Sequence, residues 1–111
     1  LAGLMDLAQV AVEAQALQQA YGSHLSELLV SSTKPMHGHQ FFATSAVELL
    51  ITVLALRSGV LPPTINSECP DPKCLGLNII RNEPARCSVR YALKSSLSFG
   101  GANAAIVLAN A

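Results

Sequence analysis

The run Val30-Ser31-Ser32-Thr33-Lys34-Pro35-Met36-His37-Gly38-His39-Gln40-Phe41-Phe42-Ala43-Thr44-Ser45-Ala46-Val47-Glu48 decides how the chain is read. Leu28, Leu29 and Val30 end a short buried strand, a polar loop follows, and an apolar helix begins. The loop is expected to place Lys34 and His39 at the N-terminus of that helix. A helix N-terminus carries partial positive charge and free N–H groups, which favour anionic groups. A neutral imidazole there donates one hydrogen bond without adding a full charge. Such a donor suits a carbonyl oxygen on which negative charge develops. The plainer reading of the same residues is a loop histidine and a solvated lysine.

Outside this stretch, composition narrows the possibilities. The chain has 111 residues, the size of one small domain. Half of them are hydrophobic and 13% are charged. So short a chain has a high surface-to-volume ratio and needs many polar residues if it stands alone. Its apolarity predicts that other protein covers much of its surface. The formal net charge is +0, so no electrostatic footprint points to nucleic acid or an acidic membrane surface.

Cys69, Cys74 and Cys87 form an odd set, with no C-x-x-C spacing and no histidine close by. That argues against a zinc site, and no metal is expected. Free thiols in a cytoplasmic protein fit the pattern better than a disulfide or a nucleophile. The first residues lack the basic stretch of a signal peptide. The longest apolar stretch, residues 46–56, is interrupted by Glu48 and Thr52 and ends at Arg57. It falls short of the roughly 20 residues a bilayer span needs, so no membrane contact is expected.

Along the chain, residues 5–21 read as a helix, with Leu7, Val10, Ala14, Leu17, Ala20 and Tyr21 at three- and four-residue spacings. Gly22 and Ser23 end it, and His24 and Glu27 fall in an exposed connection. Residues 28–32 form a strand, and Pro35 is expected to keep the following loop extended. A helix over 38–58, apolar nearly all round, should lie inside a larger protein. Gly59 stops it, Pro62-Pro63 forces an extended link, and residues 67–75 make a turn-rich loop. Strands are expected at 77–80, at 87–93 with Val89, Tyr91 and Leu93 on one face, and at 104–108, buried on both faces. Residues 94–101 read as a turn. Helix, strand, helix and then strands make a layered α/β architecture. Its sheet is mixed, since the last strands are too close for crossovers.

Several separated motifs agree with one family. Ser32-Thr33-Lys34-Pro35-Met36-His37-Gly38-His39, Ala46-Val47-Glu48 and the run from Val53 to Asn66 resemble the C-terminal half of a β-ketoacyl-acyl-carrier-protein synthase. Asn82-Glu83-Pro84-Ala85-Arg86 and Ser98-Phe99-Gly100-Gly101-Ala102-Asn103 continue the likeness in order. The resemblance covers nearly the whole chain. It implies an α/β thiolase-like fold with layered helices and a mixed sheet. Residues 1–111 would form the C-terminal part of a ketosynthase-like domain, completed by another chain or by a missing N-terminal half. It implies catalytic roles for His39, matching the family's second histidine, and Lys34, matching the lysine that ties the histidine network together. His37 fills a variable place in the motif, where a structural role is expected.

In the family, a cysteine of the N-terminal half carries the acyl group as a thioester. Two histidines of the C-terminal half assist decarboxylation of malonyl-carrier protein and attack of the resulting carbanion. The enolate formed on loss of carbon dioxide carries charge on oxygen, which N–H donors stabilise in a dry pocket. No organic cofactor is implied as bound; the phosphopantetheine arm of the acyl carrier protein delivers substrate. The implied partners are the N-terminal half, a ketosynthase subunit in a homo- or heterodimer, and the acyl carrier protein.

The departures from the family pattern gather at the reacting centre. A gap-free alignment puts Ala2 where the family has its first histidine. Phe42 stands among positions that are small in the family. Leu97 replaces a gating phenylalanine, and Ser98 replaces a glycine. Leu97, Phe99, Gly100 and Phe42 would line the acyl pocket. Relaxed chemistry on a retained scaffold is the pattern of a chain-length factor, the non-catalytic partner of a type II polyketide ketosynthase. An active β-ketoacyl synthase, supported by Lys34 and His39, is the second reading. A plain structural fragment is the third, and the ordered motifs speak against it.

Overall fold

The computed structural model describes residues 7–69, 71–74 and 76–110. In chain order these form α1 (Leu7–Tyr21), a 3₁₀ turn (Gly22–Glu27), β1 (Leu29–Val30), α2 (Lys34–His37), a 3₁₀ turn (Phe41–Ala43), α3 (Thr44–Ser58) and β2 (Val60–Leu61). A 3₁₀ turn (Pro72–Cys74), β3 (Asn78–Ile79), β4 (Ala85–Arg86), β5 (Tyr91–Leu97) and β6 (Asn103–Ala109) follow. The chain divides into two compact units, Leu1–Gly38 with Pro62–Ala85, and His39–Leu61 with Arg86–Ala111.

In the first unit, α1 turns its small residue Ala14 inward, where only 1% of it meets solvent. The helix stops where expected, at Gly22, whose φ of 51° suits the left-handed region. His24 and Glu27 lie in the 3₁₀ turn after it, exposed, with Nδ1 and Oε1 3.6 Å apart. β1 and β3 pair in parallel, Leu29 opposite Asn78 and Val30 opposite Ile79. The Ile80 amide donates to the Val30 carbonyl at 2.9 Å, and the Thr64 amide donates to the Ile80 carbonyl at 2.8 Å. The Pro62–Pro63 link therefore runs on as a strand-like neighbour of β3, with Thr64 bridged in parallel to Arg81. Side chains reinforce this order: Ser31 Oγ donates to the Pro62 carbonyl at 2.5 Å, and the Ser32 amide donates to Thr64 Oγ1 at 2.9 Å.

In the second unit, α3 ends at Gly59, which adopts φ 67° and donates its amide to the Ala55 carbonyl at 2.9 Å. The Cys87 amide donates to the Gly59 carbonyl at 3.0 Å, drawing the start of the last segment against the helix end. β5 and β6 form an antiparallel hairpin running from Tyr91 opposite Ala109 to Leu97 opposite Asn103. Its turn closes with the Ser98 amide on the Ala102 carbonyl at 3.0 Å, and Gly100 and Gly101 take φ of 88° and 83°. Alternation along β5 turns Ala92, Lys94 and Ser96 inward and leaves Tyr91, Leu93 and Ser95 exposed.

Several expectations need correction. Pro35 does not hold the loop extended: it sits in the first turn of α2, where a missing N–H costs nothing. The long helix begins at Thr44 rather than at 38, so Lys34 is not at its N-terminus. Within this chain α3 buries Thr44 and Leu56 while Leu50 and Leu54 stay exposed, apolar surface of the kind expected to meet the rest of a larger protein. The expected strand at 87–93 is displaced to Tyr91–Leu97, and the turn expected at 94–101 shrinks to the few residues after Leu97. Lys94, Ser95 and Ser96 look like turn residues, yet two of them face inward and find polar partners. β6 is longer than expected, and within this chain Ala104 to Val107 are exposed. The start of α1 expected at 5 and the substitution at Ala2 lie outside the described residues. The 3₁₀ turn runs on into α3, so the helical stretch Phe41–Ser58 has 18 residues, long and apolar enough by length and composition to cross a membrane. A core helix of a larger protein meets the same description.

Gly59→Ala should destabilise the full-length protein by about 1–2 kcal/mol, because a Cβ there must adopt a left-handed φ. It would also sit 3.2 Å from the Cys87 carbonyl oxygen. Thermal or urea unfolding measures the loss, and an unchanged midpoint would contradict it.

Candidate functional site

The polar loop divides its residues between the two units. Lys34 opens α2 in the first unit and is half-buried. His39 begins the second unit and is exposed. Leu97, Phe99, Gly100 and Phe42 also belong to the second unit; Leu97 is half-buried and the other three are exposed.

His39 is held by its own turn. The Phe41 amide donates to His39 Nδ1 at 2.9 Å, and Thr44 Oγ1 lies 3.2 Å from the same nitrogen. An amide N–H can only donate, so Nδ1 presents its lone pair and the ring proton sits on Nε2. The Nε2–H edge is thus left as the donor for a ligand. This geometry stores strain: Phe41 adopts φ 50°, which costs a bulky L-residue on the order of 1–3 kcal/mol. The His39 and Phe41 rings lie 5.4 Å apart.

His37 is arranged oppositely. Its Nδ1 lies 2.8 Å from the Gly38 carbonyl oxygen, which can only accept, so in the neutral ring Nδ1 carries the proton. Its Nε2 then accepts from Thr33 Oγ1 at 2.9 Å. Both ring nitrogens are engaged within the loop.

A second cluster lies where α3 meets β5, and the sequence reading missed it. Lys94 Nζ stands 2.9 Å from Glu48 Oε2, with the two side chains 7% and 16% exposed. Lys94 also donates to the Ser95 carbonyl at 2.7 Å and reaches Ser45 Oγ at 3.4 Å. Ser45 Oγ and Ser96 Oγ are 2.7 Å apart. Beside this cluster is an open cavity of about 250 Å³ lined by Ser45, Ala46, Leu49, Lys94, Ser96 and Ile106 among others. None of Phe42, Leu97, Phe99 and Gly100 lines it. The available signal was Glu48 itself: a carboxylate in so apolar a helix needs a cation nearby.

The cysteines are free, as expected. Cys74 is buried, and burial first, then the Asp71 carboxylate, pushes its thiol up from the ordinary range, the opposite of an activated nucleophile. Among the described residues, no group of three or more His, Cys, Asp and Glu gathers as a metal site.

A helix–strand unit carrying a Lys-x-x-x-x-His loop is followed by an apolar helix and a hairpin with a Gly-Gly turn. The family described as beta-ketoacyl synthase, C-terminal domain, matches residues 8–68. The chain belongs to that family, with its mixed α/β fold. It is 42% identical over 97 residues to 3-oxoacyl-[acyl-carrier-protein] synthase 2 of Coxiella burnetii, covering 87% of this chain and 23% of that protein. To nodulation protein E of Rhizobium meliloti it is 38% identical over 94 residues, covering 85% of this chain and 23% of the relative. Among solved structures it resembles AntDE:AntF, a type II PKS acyl-carrier protein in complex with its ketosynthase bound to the hexaketide. The TM-score is 0.85 at 31% identity, over 89% of this chain and 24% of that one. The ishigamide ketosynthase/chain length factor matches with a TM-score of 0.78 at 30% identity, over 91% of this chain and 24% of that one. The chain thus spans about a quarter of the length of the proteins it matches.

Lys94→Met leaves the Glu48 carboxylate buried without its lysine, and should cost the full-length protein about 3–5 kcal/mol in urea unfolding. Replacing both partners, Lys94→Met with Glu48→Leu, should recover most of that loss. In native protein at pH 8, Cys74 should react with a maleimide far more slowly than exposed Cys69. A raised thiol pKa means less thiolate at that pH, so the Cys74 rate should climb as pH rises further. Equal rates for the two thiols would contradict the burial of Cys74.

Proposed function

We propose that residues 1–111 form the C-terminal part of a ketosynthase-like domain in a cytoplasmic protein of fatty-acid or type II polyketide assembly. In this reading the subunit is a chain-length-factor-like partner that shapes the acyl tunnel of an active ketosynthase. The observation that carries it is Phe42, a bulky and fully exposed side chain at a family position that is small, one residue beyond strained Phe41. Together with Leu97, Phe99 and Gly100 it would line the tunnel once the rest of the protein is in place. Ala2 in place of the first histidine supports the same reading, because alanine has no N–H to donate. The partners are the N-terminal half of the same protein, a ketosynthase subunit, and an acyl carrier protein whose phosphopantetheine arm brings the substrate. No bound cofactor and no metal are part of the proposal, and neither nucleic acid nor a membrane is a partner. The apolar stretch Phe41–Ser58 is read as a core helix of the assembled domain.

A second reading, an active β-ketoacyl synthase, is favoured by the Nδ1-anchored, Nε2-donating His39. There His39 would hold the enolate oxygen formed as malonyl-carrier protein loses carbon dioxide, and Lys34 would support it.

The test reconstitutes the full-length protein with its ketosynthase and carrier protein. Phe42→Gly should lengthen the product by at least one two-carbon unit, while His39→Ala should leave turnover intact. Loss of turnover in His39→Ala, with products of unchanged length in Phe42→Gly, would overturn the partner reading in favour of the enzyme.

A further inference from the structure

We infer that Lys94 is a positioning residue for His39, acting through Glu48, Ser45 and the first turns of α3. The helix begins at Thr44 with no side-chain hydrogen bond capping its N-terminus. Its early turns are held instead by side chains reaching across to β5. Glu48, one turn into the helix, meets Lys94 at 2.9 Å, and Ser45 meets both Ser96 and Lys94. The neighbouring residue Thr44, 4% exposed, holds His39 Nδ1 at 3.2 Å. A shift of the helix start against β5 moves the Thr44 hydroxyl, and with it the nitrogen that sets the direction of the Nε2–H donor. β5 also leads directly to Leu97, Phe99 and Gly100, so one pair of charges registers the histidine loop and the hairpin turn together. The Lys94–Glu48 pair suits this role because it is nearly desolvated, and a buried pair imposes a unique geometry more than it adds stability.

Relevance to catalysis or product length rests on the reading of His39 under Proposed function; the geometric claim does not. The full-length protein is labelled with ¹⁵N-histidine, and the His39 ring signals are assigned by their loss in His39→Ala. Wild type should show one neutral tautomer with the proton on Nε2. The double variant Lys94→Met/Glu48→Leu should shift the His39 ring signals as the Thr44 hydroxyl moves from Nδ1, while the Phe41 amide keeps the tautomer, and Lys94→Arg with Glu48 intact should keep the wild-type signals. In an enzymatically active protein, the double variant should lower kcat for malonyl-carrier-protein decarboxylation about tenfold with KM unchanged. A folded double variant with unaltered His39 signals overturns the proposal. Should that variant fail to fold, Ser45→Ala decides by the same spectrum: unaltered signals overturn it, and shifted signals uphold it. If His39→Ala changes neither decarboxylation nor product length, the active-synthase reading of His39 falls, and the ring signals still decide the positioning.

Discussion

One ion pair holds the second unit in register. Lys94 and Glu48 meet at 2.9 Å in surroundings that leave their side chains 7% and 16% exposed. Taking two charges out of water costs several kcal/mol per ion, and mutual attraction returns that only when geometry is good and further hydrogen bonds satisfy the remaining atoms. Lys94 has such bonds, to the Ser95 carbonyl and towards Ser45. The net contribution to stability is therefore modest, while the contribution to specificity is large. An apolar helix can slide or rotate against an apolar strand at little cost. A helix with one carboxylate facing one ammonium cannot.

The first unit solves a similar problem with backbone. Two-residue strands have little stability of their own, and β1 and β3 gain theirs from the Pro62–Pro63 link that continues the parallel arrangement through Thr64. Ser31 and Ser32 then tie the start of the polar loop to that link. Thr33 and His37 close α2 on itself. The loop is consequently built by local hydrogen bonds up to Gly38. Beyond it, Phe41 holds a left-handed backbone and its amide donates to His39 Nδ1. Within the second unit, the Phe41 amide and the Thr44 hydroxyl together orient the His39 ring.

Periodicity and turn chemistry found α1, α3, Gly22 and Gly59, because those features depend on residues close in sequence. The hairpin was foreseen, but its first strand was misplaced. Lys94, Ser95 and Ser96 have turn-like side chains, and only contact with Glu48 and Ser45, distant in sequence, makes them strand residues. Pro35 was misread for a related reason: proline interrupts a helix interior but suits its first turn, and which applies depends on where the helix starts. At the site, Lys34 and His39 came from a motif, whereas the tautomer of His39 and its Thr44 contact needed coordinates. Of the Lys94–Glu48 pair only half was legible: Glu48 in an apolar helix calls for a cation, and nothing near it in sequence points to Lys94.

The last strand carries a further consequence. Asn103–Ala109 contains no charged residue and no proline, and among the described residues it pairs only with β5. Its other edge offers a row of open amide and carbonyl groups beside exposed Val107 and Ile106. Natural sheets protect such margins with lysines, prolines or bulges, and this one has none of those guards. Cut away from whatever normally lies alongside, the strand is a template for self-recruitment, edge to edge, into insoluble material. The residues that equip it for sharing a continuous sheet are the same ones that make it a poor solitary molecule.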